Sequence, residues 1–433
     1  MIKVVLSSII DIISGGTPQT SIEEYWNNGN IGWLSVTDFN NDLRFVYDSE
    51  KKITKKGLNE SNTKLLEYGD IIISARGTVG ALAQIGIPMC FNQSCFGIRG
   101  KKDKVDNDFL FYALRNYVQH IKKRSQGSVF DTINLKSFDL MEIEIPKTIS
   151  TQQKIAKVLS DLDAKIEINN RINIELEAMA KTLYDYWFVQ FDFPDTNGKP
   201  YKSTGGKMVW NAELKREIPE GWDCVLLGEM GNFKNEVNYD PSKPGNIACP
   251  IINVRNISAT SYFLKNSDLD IIYLNQSDVQ KYAVHEGSII IARSGIPGAT
   301  RLISDFAENT LYCGFAIHYE LNDLALKIPV FFYLKSIEEM IKNGSGGTIL
   351  KNVNQATLNN LQVVFPKKET TISQFNKLIK PLFNKINLIQ KENQELASLR
   401  DWLLPMLMNG QVSVGDVEEQ LGMVAEESAR YVK

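Results

Sequence analysis

Two long stretches of the chain carry apolar residues at alternating steps of four and three positions. The first runs from Ile155 to Trp187 and the second from Phe375 to Leu407. The positions of the second stretch include Leu382 and the charged Arg400. This spacing is typical of helices that bury one face, and its heptad period is that of a coiled-coil seam. The sequence therefore predicts two long helices, and Pro381 is expected to kink the second helix or delay its start.

Each predicted seam contains a polar position. Asn173 and Asn393 occupy the same place in the two stretches. A seam asparagine fixes the register of a helix pair because sliding would leave its amide against apolar side chains. We therefore expect the two helices to pair antiparallel, with Asn173 and Asn393 setting their register. The alternative is that each helix packs only on its own domain, as many amphipathic helices do.

The two stretches are part of an internal repeat. Residues 69–80 read GDIIISARGTVG, and residues 287–298, displaced by 218 positions, read GSIIIARSGIPG. Phe96 matches Phe315 at a displacement of 219, and many residues of the predicted helices match at 220. Because order is kept while the displacement drifts so little, the pattern indicates a duplicated unit of about 190 residues.

Each copy begins with short β-rich runs and one helical stretch, and ends in the long helix. The predicted fold class is α+β, with two similar mixed α/β domains separated by two long antiparallel helices in a pseudo-twofold duplication. The Gly- and Pro-rich segment between the copies is expected to be an ordered crossover without strands. The expected boundaries are 1–148 for the first domain, 149–190 for its helix, 191–217 for the crossover linker, 218–367 for the second domain, 368–410 for its helix and 411–433 for a C-terminal tail.

Composition narrows the class of protein. The 433 residues are 43% hydrophobic and 23% charged, which is ordinary for a chain with more than one globular domain. A net charge of -3 does not by itself mark a nucleic-acid binder. Five cysteines without a C-x-x-C pair and three scattered histidines give no metal site. No apolar run reaches the ~20 residues of a membrane-spanning helix, so we expect a cytoplasmic protein.

Several short motifs, taken together with the duplication, resemble the specificity subunit of Type I restriction-modification systems over nearly the whole chain. The motifs are Ser14-Gly15-Gly16-Thr17-Pro18, Ile145-Pro146, Gln152-Gln153-Lys154-Ile155, Trp187-Phe188, Phe191-Asp192-Phe193-Pro194, Asn197-Gly198-Lys199-Pro200-Tyr201-Lys202, Gly205-Gly206-Lys207-Met208-Val209-Trp210 and Ile218-Pro219-Glu220-Gly221-Trp222. One departure is Lys234-Asn235-Glu236-Val237, which stands near where the first copy has Ser14 to Thr17.

The resemblance implies two target recognition domains, each reading one half of a bipartite, asymmetric double-stranded DNA site in the major groove. It also implies that the helices set the unspecified spacer and dock two modification subunits, which carry S-adenosylmethionine and methylate adenine. Two restriction subunits can join such an assembly. The chain itself would catalyse nothing and would hold no cofactor or metal. Because residues 218–366 have 11 Lys and Arg against 15 Asp and Glu, we expect the isolated chain to bind DNA weakly.

Base edges are read by side chains that present paired donors and acceptors. Arg76 and Arg293 each follow an apolar strand in a small-residue loop, and their recurrence favours contact with DNA over the alternative of surface arginines in tight turns. The expected contacts of the first domain are Thr17, Ser35, Thr37, Asp38, Arg76, Gly77, Asn92, Gln93, Arg124, Gln126 and Ser128. Those of the second domain are Asn253, Arg255, Asn256, Arg293, Ser294, Ser345 and Thr348.

Two other classes of function compete with this interpretation. Asp195 followed by Glu213 and Lys215 matches a loose nuclease pattern, in which carboxylates bind a metal beside a lysine. We disfavour a nuclease because the segment is rich in Gly and Pro, and we find neither a phosphate-binding loop nor an Asn-Pro-Pro-aromatic motif of an adenine methyltransferase. A duplicated scaffold for protein interactions is the third hypothesis.

Overall fold

A computed structural model describes residues 1–124, 132–235, 245–258, 261–264, 269–285, 287–304, 307–343 and 353–415. The chain divides into two compact units. The first combines Met1–Ile168 with Asn393–Lys433, and the second is the continuous stretch Asn169–Glu392. Among the described residues, no helix combines the length and apolar character needed to cross a membrane.

The first unit holds eleven of the described strands, five short or medium helices and the beginning of a long helix. In chain order these are β1 (Ile2–Val5), α1 (Leu6–Ile9), β2 (Ile10–Ser14), β3 (Ile31–Leu34), α2 (Val36–Phe39), β4 (Phe45–Val46), β5 (Lys51–Ile53), α3 (Lys55–Asn59), β6 (Leu65–Leu66), β7 (Ile71–Ser74), β8 (Leu82–Ile85), β9 (Met89–Phe91), β10 (Cys95–Gly100), α4 (Asn107–Arg124), α5 (Leu135–Leu140), β11 (Glu142–Ile145) and α6 (Ile149–Tyr184).

The strands of the first unit form three sheets. One has the order β2-β10-β7-β8-β4, a second has the order β5-β3-β9-β6, and β1 pairs with β11. Strand β7 is buried at every position. Ile71 and Ile73 lie in the core with α4, whereas Ile72 lies in the core of the other face with Leu34. Burial on both faces explains why this strand is a continuous apolar run rather than an alternating one.

The second unit repeats this plan after the end of α6. Its elements are β12 (Met208–Asn211), β13 (Arg216–Pro219), β14 (Trp222–Leu226), α7 (Leu227–Met230), β15 (Gly231–Lys234), β16 (Ile247–Ile252), α8 (Val254–Ile257), β17 (Asp270–Leu274), α9 (Gln276–Tyr282), β18 (Ile289–Ala292), β19 (Thr300–Leu302), β20 (Leu311–Tyr312), β21 (Ala316–Leu321), α10 (Lys327–Lys342), α11 (Gln355–Asn359), β22 (Gln362–Pro366) and α12 (Glu369–Met408).

The sheet orders of the second unit correspond to those of the first. They are β15-β21-β18-β19, β17-β16-β20 and β14-β22. In both units the second sheet contains a parallel pair, β3 with β9 and β16 with β20. The duplicated mixed α/β architecture predicted from the repeat is therefore confirmed.

The two long helices run antiparallel within each unit. In the first unit, Leu159 of α6 shares a core with Leu403 of α12. In the second unit, the Asn169 amide donates to Glu392 Oε2 at 3.0 Å, while Phe188, just beyond α6, packs on Phe375 with ring centroids 4.9 Å apart. Later residues of α6 and of the turn after it thus lie beside earlier residues of α12, as in an antiparallel pair.

Two details of α12 differ from the expected seam. The helix begins at Glu369 and continues through Pro381, so the predicted delay is wrong. The seam spacing predicted that Leu382 is buried, but Leu382 is only half-buried and its neighbour Phe383 is buried instead.

The two seam asparagines belong to different units. Asn173 is buried, and its Oδ1 accepts no hydrogen bond from the part of the chain that the structure describes. Asn393 is half-buried. Their role in register stays a prediction.

The segment between the copies is built around aromatic rings and a hairpin. Phe193 stacks on Tyr201 and on Trp222, with ring centroids 4.7 and 5.0 Å apart. Strand β12 pairs antiparallel with β13, so the expectation of a crossover without strands is wrong. The apolar run Met208, Val209 and Trp210, which includes a β-branched and an aromatic residue, was a strand signal that the surrounding glycines concealed.

Candidate nucleic-acid interface

The same turn follows the buried central strand of each unit. In the first unit, the Ser74 amide donates to the Ala81 carbonyl at 2.9 Å, and in the second unit the Ala292 amide donates to the Ala299 carbonyl at 2.9 Å. We call residues 75–80 and 293–298 the strand-end turns. Because both are closed by matching hydrogen bonds at a displacement of 218, they are equivalent residue by residue.

Glycines set the shape of both strand-end turns. Gly77 and Gly295 share a φ of +74°, and Gly80 and Gly298 have φ values of +81° and +83°. These are left-handed conformations that favour glycine. A Cβ on Gly80 would also lie 2.9 Å from Val118 Cγ1 of α4, so this glycine is needed for helix packing as well as for the turn. Gly77 has open space around it.

This register places the two arginines at neighbouring rather than equivalent positions. Arg76 matches Ser294, and Arg293 matches the buried Ala75. The expectation that the arginine itself recurs is therefore wrong. Arg76 is exposed, and its guanidinium has no hydrogen bond or ion pair with the residues that the structure describes. Arg293 is half-buried, and its Nη1 donates to the Gly314 carbonyl at 3.5 Å.

Ser35 and Asp38 begin the short helix α2. The Ser35 amide and hydroxyl both donate to Asp38 Oδ2 at 2.7 Å, and the Glu50 amide donates to Asp38 Oδ1 at 2.9 Å. This is a capping box, which the Ser-x-x-Asp spacing could have signalled. Both carboxylate oxygens of Asp38 thus have structural partners. Thr37 is the exposed member of the group, with its hydroxyl 2.8 Å from that of Ser35.

The second unit has the same arrangement with different side chains. The backbone amide of Asn253 donates to Asn256 Oδ1 at 2.8 Å, and this hydrogen bond caps α8. The Asn253 side chain donates to Asp270 Oδ2 at 2.8 Å, and Arg255 pairs with Asp270 Oδ1 at 2.5 Å. Arg255 is exposed, whereas Asn256 is buried and holds the helix end. Arg255 and Asn253 are therefore the members of this trio best placed for contact with a ligand.

Three predicted residues of the first unit come together beside the glycine motif. The Thr17 hydroxyl donates to Gln93 Oε1, and both side chains are exposed. Asn92 Oδ1 accepts the Ser94 amide at 3.0 Å, which is the turn-making role weighed against base reading. A Cβ on Gly15 would lie 2.1 Å from the Asn92 carbonyl oxygen, so only glycine allows this approach.

Some expected contacts cannot be located. Gln126, Ser128, Ser345 and Thr348 lie outside the described residues, and the side chain of Arg124 is also outside them.

A buried carboxylate lies where β19 begins, just after the second strand-end turn. Glu338 of α10 accepts from the Thr300 amide at 3.1 Å, from Arg301 at 3.1 Å and from Lys335 and Lys342 at 2.7 Å each. Burial opposes its negative charge, but Arg301 and Lys335 outweigh burial and lower the pKa of Glu338 to about 2. Both strand-end turns face an apolar side chain, because a Cβ on Gly298 would meet Ile341 as a Cβ on Gly80 would meet Val118, and Glu338 adds a charged cluster to the second unit.

The loose nuclease pattern has a structural explanation. Asp195 Oδ1 accepts the amides of Lys199 and Asn197, which lower the pKa of Asp195 and close a tight turn. Glu213 and Lys215 lie in the turn between β12 and β13. In the described part of the chain, no group of three or more His, Cys, Asp or Glu side chains could hold a metal ion.

Two exposed residues of the strand-end region were missed by the sequence reasoning. Thr78 is exposed two positions after Arg76. Phe315 is 62% exposed, and its carbonyl accepts the Arg293 amide at 2.8 Å. In the first unit, Ser94 accepts from Ala75 at 2.8 Å in the same way, so Phe315 corresponds to Ser94 and the sequence match to Phe96 is wrong.

Comparison with known proteins agrees with this duplicated architecture. The family model described as "Type I restriction modification DNA specificity domain" matches residues 2–178 and again residues 219–398. The Type I restriction enzyme MjaIX specificity subunit of Methanocaldococcus jannaschii is 29% identical, over 95% of this chain and 93% of its own. The HindI specificity subunit of Haemophilus influenzae is 26% identical, over 70% of this chain and 77% of its own.

A solved structure has a similar fold. The crystal structure of the Type I restriction-modification system S subunit from M. genitalium aligns with a TM-score of 0.50 and 16% identity, covering 94% of this chain and 96% of its own. The two family-model matches together span most of the sequence and coincide with its two copies. The chain therefore belongs to the family of Type I restriction-modification specificity subunits, whose DNA specificity domain it contains twice.

Proposed function

We propose that this chain is the non-catalytic subunit that determines which DNA sequence a Type I restriction-modification complex recognises. Each unit reads one half of a bipartite, asymmetric double-stranded target. Two modification subunits carry S-adenosylmethionine and methylate adenine in that target, and two restriction subunits can join them. The complex acts on DNA in the cytoplasm.

The observation that carries this proposal is the pair of strand-end turns. One backbone conformation and one hydrogen-bond pattern carry the exposed Arg76 and Thr78 in the first unit but the half-buried Ser294 and Ile296 in the second. A shared support with different side chains suits two readers of different base sequences, because the scaffold fixes position while the side chains select the bases.

The long helices are suited to setting a spacer. With 36 residues in α6 and 40 in α12, they would extend about 54 Å and 60 Å at 1.5 Å per residue. They also present apolar side chains to solvent: in the second unit, Ile172 and Met179 lie seven residues apart on α6 and are 40% and 53% exposed. We call these two residues the α6 stripe. Exposed apolar side chains on one helix face favour docking of another protein, and we assign the modification subunits to it.

The competing nuclease hypothesis has no comparable support. Asp195 is engaged with the backbone of its own turn, and the described residues converge on no metal site. We therefore assign methylation and cleavage to partner subunits.

Reconstitution tests the proposal. The modification subunits are incubated with DNA and S-adenosylmethionine, with and without this chain, and the methylated adenines are mapped. We expect methylation at one bipartite sequence only when the chain is present. The chain alone, given Mg²⁺ or S-adenosylmethionine, should neither cut nor methylate DNA. Sequence-specific methylation by the modification subunits without the chain, or any activity of the chain alone, would overturn the proposal.

A further inference from the structure

An exposed aromatic ring stands beside the second strand-end turn. Phe315 lies in the turn between β20 and β21, and its carbonyl oxygen accepts the amide of Arg293, the first residue of the strand-end turn. The ring is 62% exposed although the next residue, Ala316, is buried in the sheet. Its backbone is therefore fixed by the fold while its side chain remains free to meet a ligand.

The matched position in the first unit carries a different side chain. Ser94 makes the equivalent hydrogen bond with Ala75 but offers a hydroxyl instead of a ring. The two positions thus have one support, with a polar side chain in one unit and an apolar one in the other. Scattered apolar residues are common on protein surfaces, so the argument depends on this matched position and not on exposure alone.

We infer that Phe315 reads the 5-methyl group of a thymine in the half-site of the second unit. The major-groove edge of thymine is the one among the four bases that carries a methyl group, and apolar side chains recognise it by contact. A phenylalanine has no donor or acceptor with which to read any other feature of a base edge. This inference rests on the proposed function and adds the chemistry of one specificity contact.

The test uses the complete methyltransferase and DNA in which single thymines are replaced by uracil, which lacks only the methyl group. The second half-site is the one whose readout Arg76→Ala leaves unchanged. At one thymine of this half-site, we expect uracil to lower the specificity constant of the wild-type complex about four-fold, which corresponds to the burial of one methyl group. Phe315→Ser, which installs the residue of the first unit, should lower methylation of thymine DNA similarly and become insensitive to that replacement.

Controls separate this inference from the proposed function. Phe315→Leu retains an apolar side chain and should retain sensitivity to uracil, and thymines of the first half-site should respond equally in all variants. Three results would each overturn the inference. The wild-type complex could respond to none of the replacements, the second half-site could contain no A·T pair, or Phe315→Ser could still distinguish thymine from uracil. In those cases specific methylation by the complex would persist, whereas failure of the proposed function would leave methylation independent of this chain.

Discussion

The Arg400 guanidinium lies 2.6 Å from Asp163 Oδ1, and both side chains are buried in the first unit where α12 meets α6. The second carboxylate oxygen of Asp163 accepts the Tyr112 hydroxyl of α4 at 2.5 Å. One buried carboxylate therefore ties both long helices to the helix that covers the main sheet. At the corresponding repeat positions the second unit has Phe383, Ala180 and Phe332, all buried, so apolar packing replaces the ion pair there.

Removing Arg400 should destabilise the protein strongly. Arg400→Met leaves the Asp163 carboxylate buried without a cation, and we expect a loss of about 3–5 kcal/mol in the free energy of unfolding of the first unit. Urea denaturation of the full chain measures it. Adding Asp163→Leu should recover most of the loss, because both charges are then absent. Lys157→Met, which breaks an exposed pair with Asp161, is the control and should change stability by less than about 1 kcal/mol. Equal effects of Arg400→Met and Lys157→Met would contradict this account.

Arg400 also illustrates what the sequence could provide. The heptad spacing placed it in the seam of the second helix, and the seam is buried there. Its partner could not be predicted, because Asp163 lies 237 positions earlier and nothing in either local sequence identifies the pair. Local periodicity determines which face is buried, whereas the pairing of buried charges depends on the three-dimensional packing of both helices.

The strand-end turns show how a local motif can mislead. The letters of residues 69–80 and 287–298 match at a displacement of 218, which already places Arg76 opposite Ser294, but the arginines were judged equivalent because each stands between small residues. The backbone hydrogen bonds confirm the register that the letters predict. By contrast, the capping roles of Asp38 and Asn256 follow from spacing alone and were available from the sequence.

The two glycines of the first strand-end turn should respond differently to substitution. Gly77→Asn should be tolerated, because asparagine adopts left-handed conformations and the site is open. Gly80→Ala should lower the free energy of unfolding by at least about 1–2 kcal/mol, because the left-handed strain is joined by a clash with Val118. Thermal unfolding of the two variants measures the difference. A Gly77→Asn variant as unstable as Gly80→Ala would show that the turn is shaped by something other than these contacts.

The contribution of Glu338 to the free energy of unfolding should depend on pH. The pKa of Glu338 is about 2 in the folded chain, below its ordinary value of 4.5. A carboxyl with a lowered pKa stabilises the fold above its ordinary pKa, and this contribution disappears as the pH falls towards 2. Glu338→Gln should therefore be less stable than the wild type by about 3 kcal/mol at pH 7, with a much smaller difference at pH 3. Chemical denaturation at both pH values measures the gap, and a gap of constant size would rule out the ionised Glu338 as its cause.

The α6 stripe should be required for assembly. Ile172→Asp with Met179→Asp places charges on an exposed apolar face and should weaken association with the modification subunits at least about ten-fold, because a desolvated charge opposes burial. Co-purification and analytical ultracentrifugation measure the association. Lys157→Asp, an exposed charge change on the same helix, is the matched control. If the double variant binds the modification subunits as tightly as the wild type does, the α6 stripe is not part of the docking surface.

The most direct test of the account maps methylated adenines genome-wide in cells that carry the wild-type chain, Arg76→Ala or Arg293→Ala. The account predicts that the wild-type target has two specified halves. Arg76→Ala should relax one half and Arg293→Ala the other, each by about 1–3 kcal/mol of base discrimination, with the spacer length unchanged. Relaxation of the same half by both substitutions, or an unchanged target in both, would contradict the claim that each unit reads its own half of the DNA site.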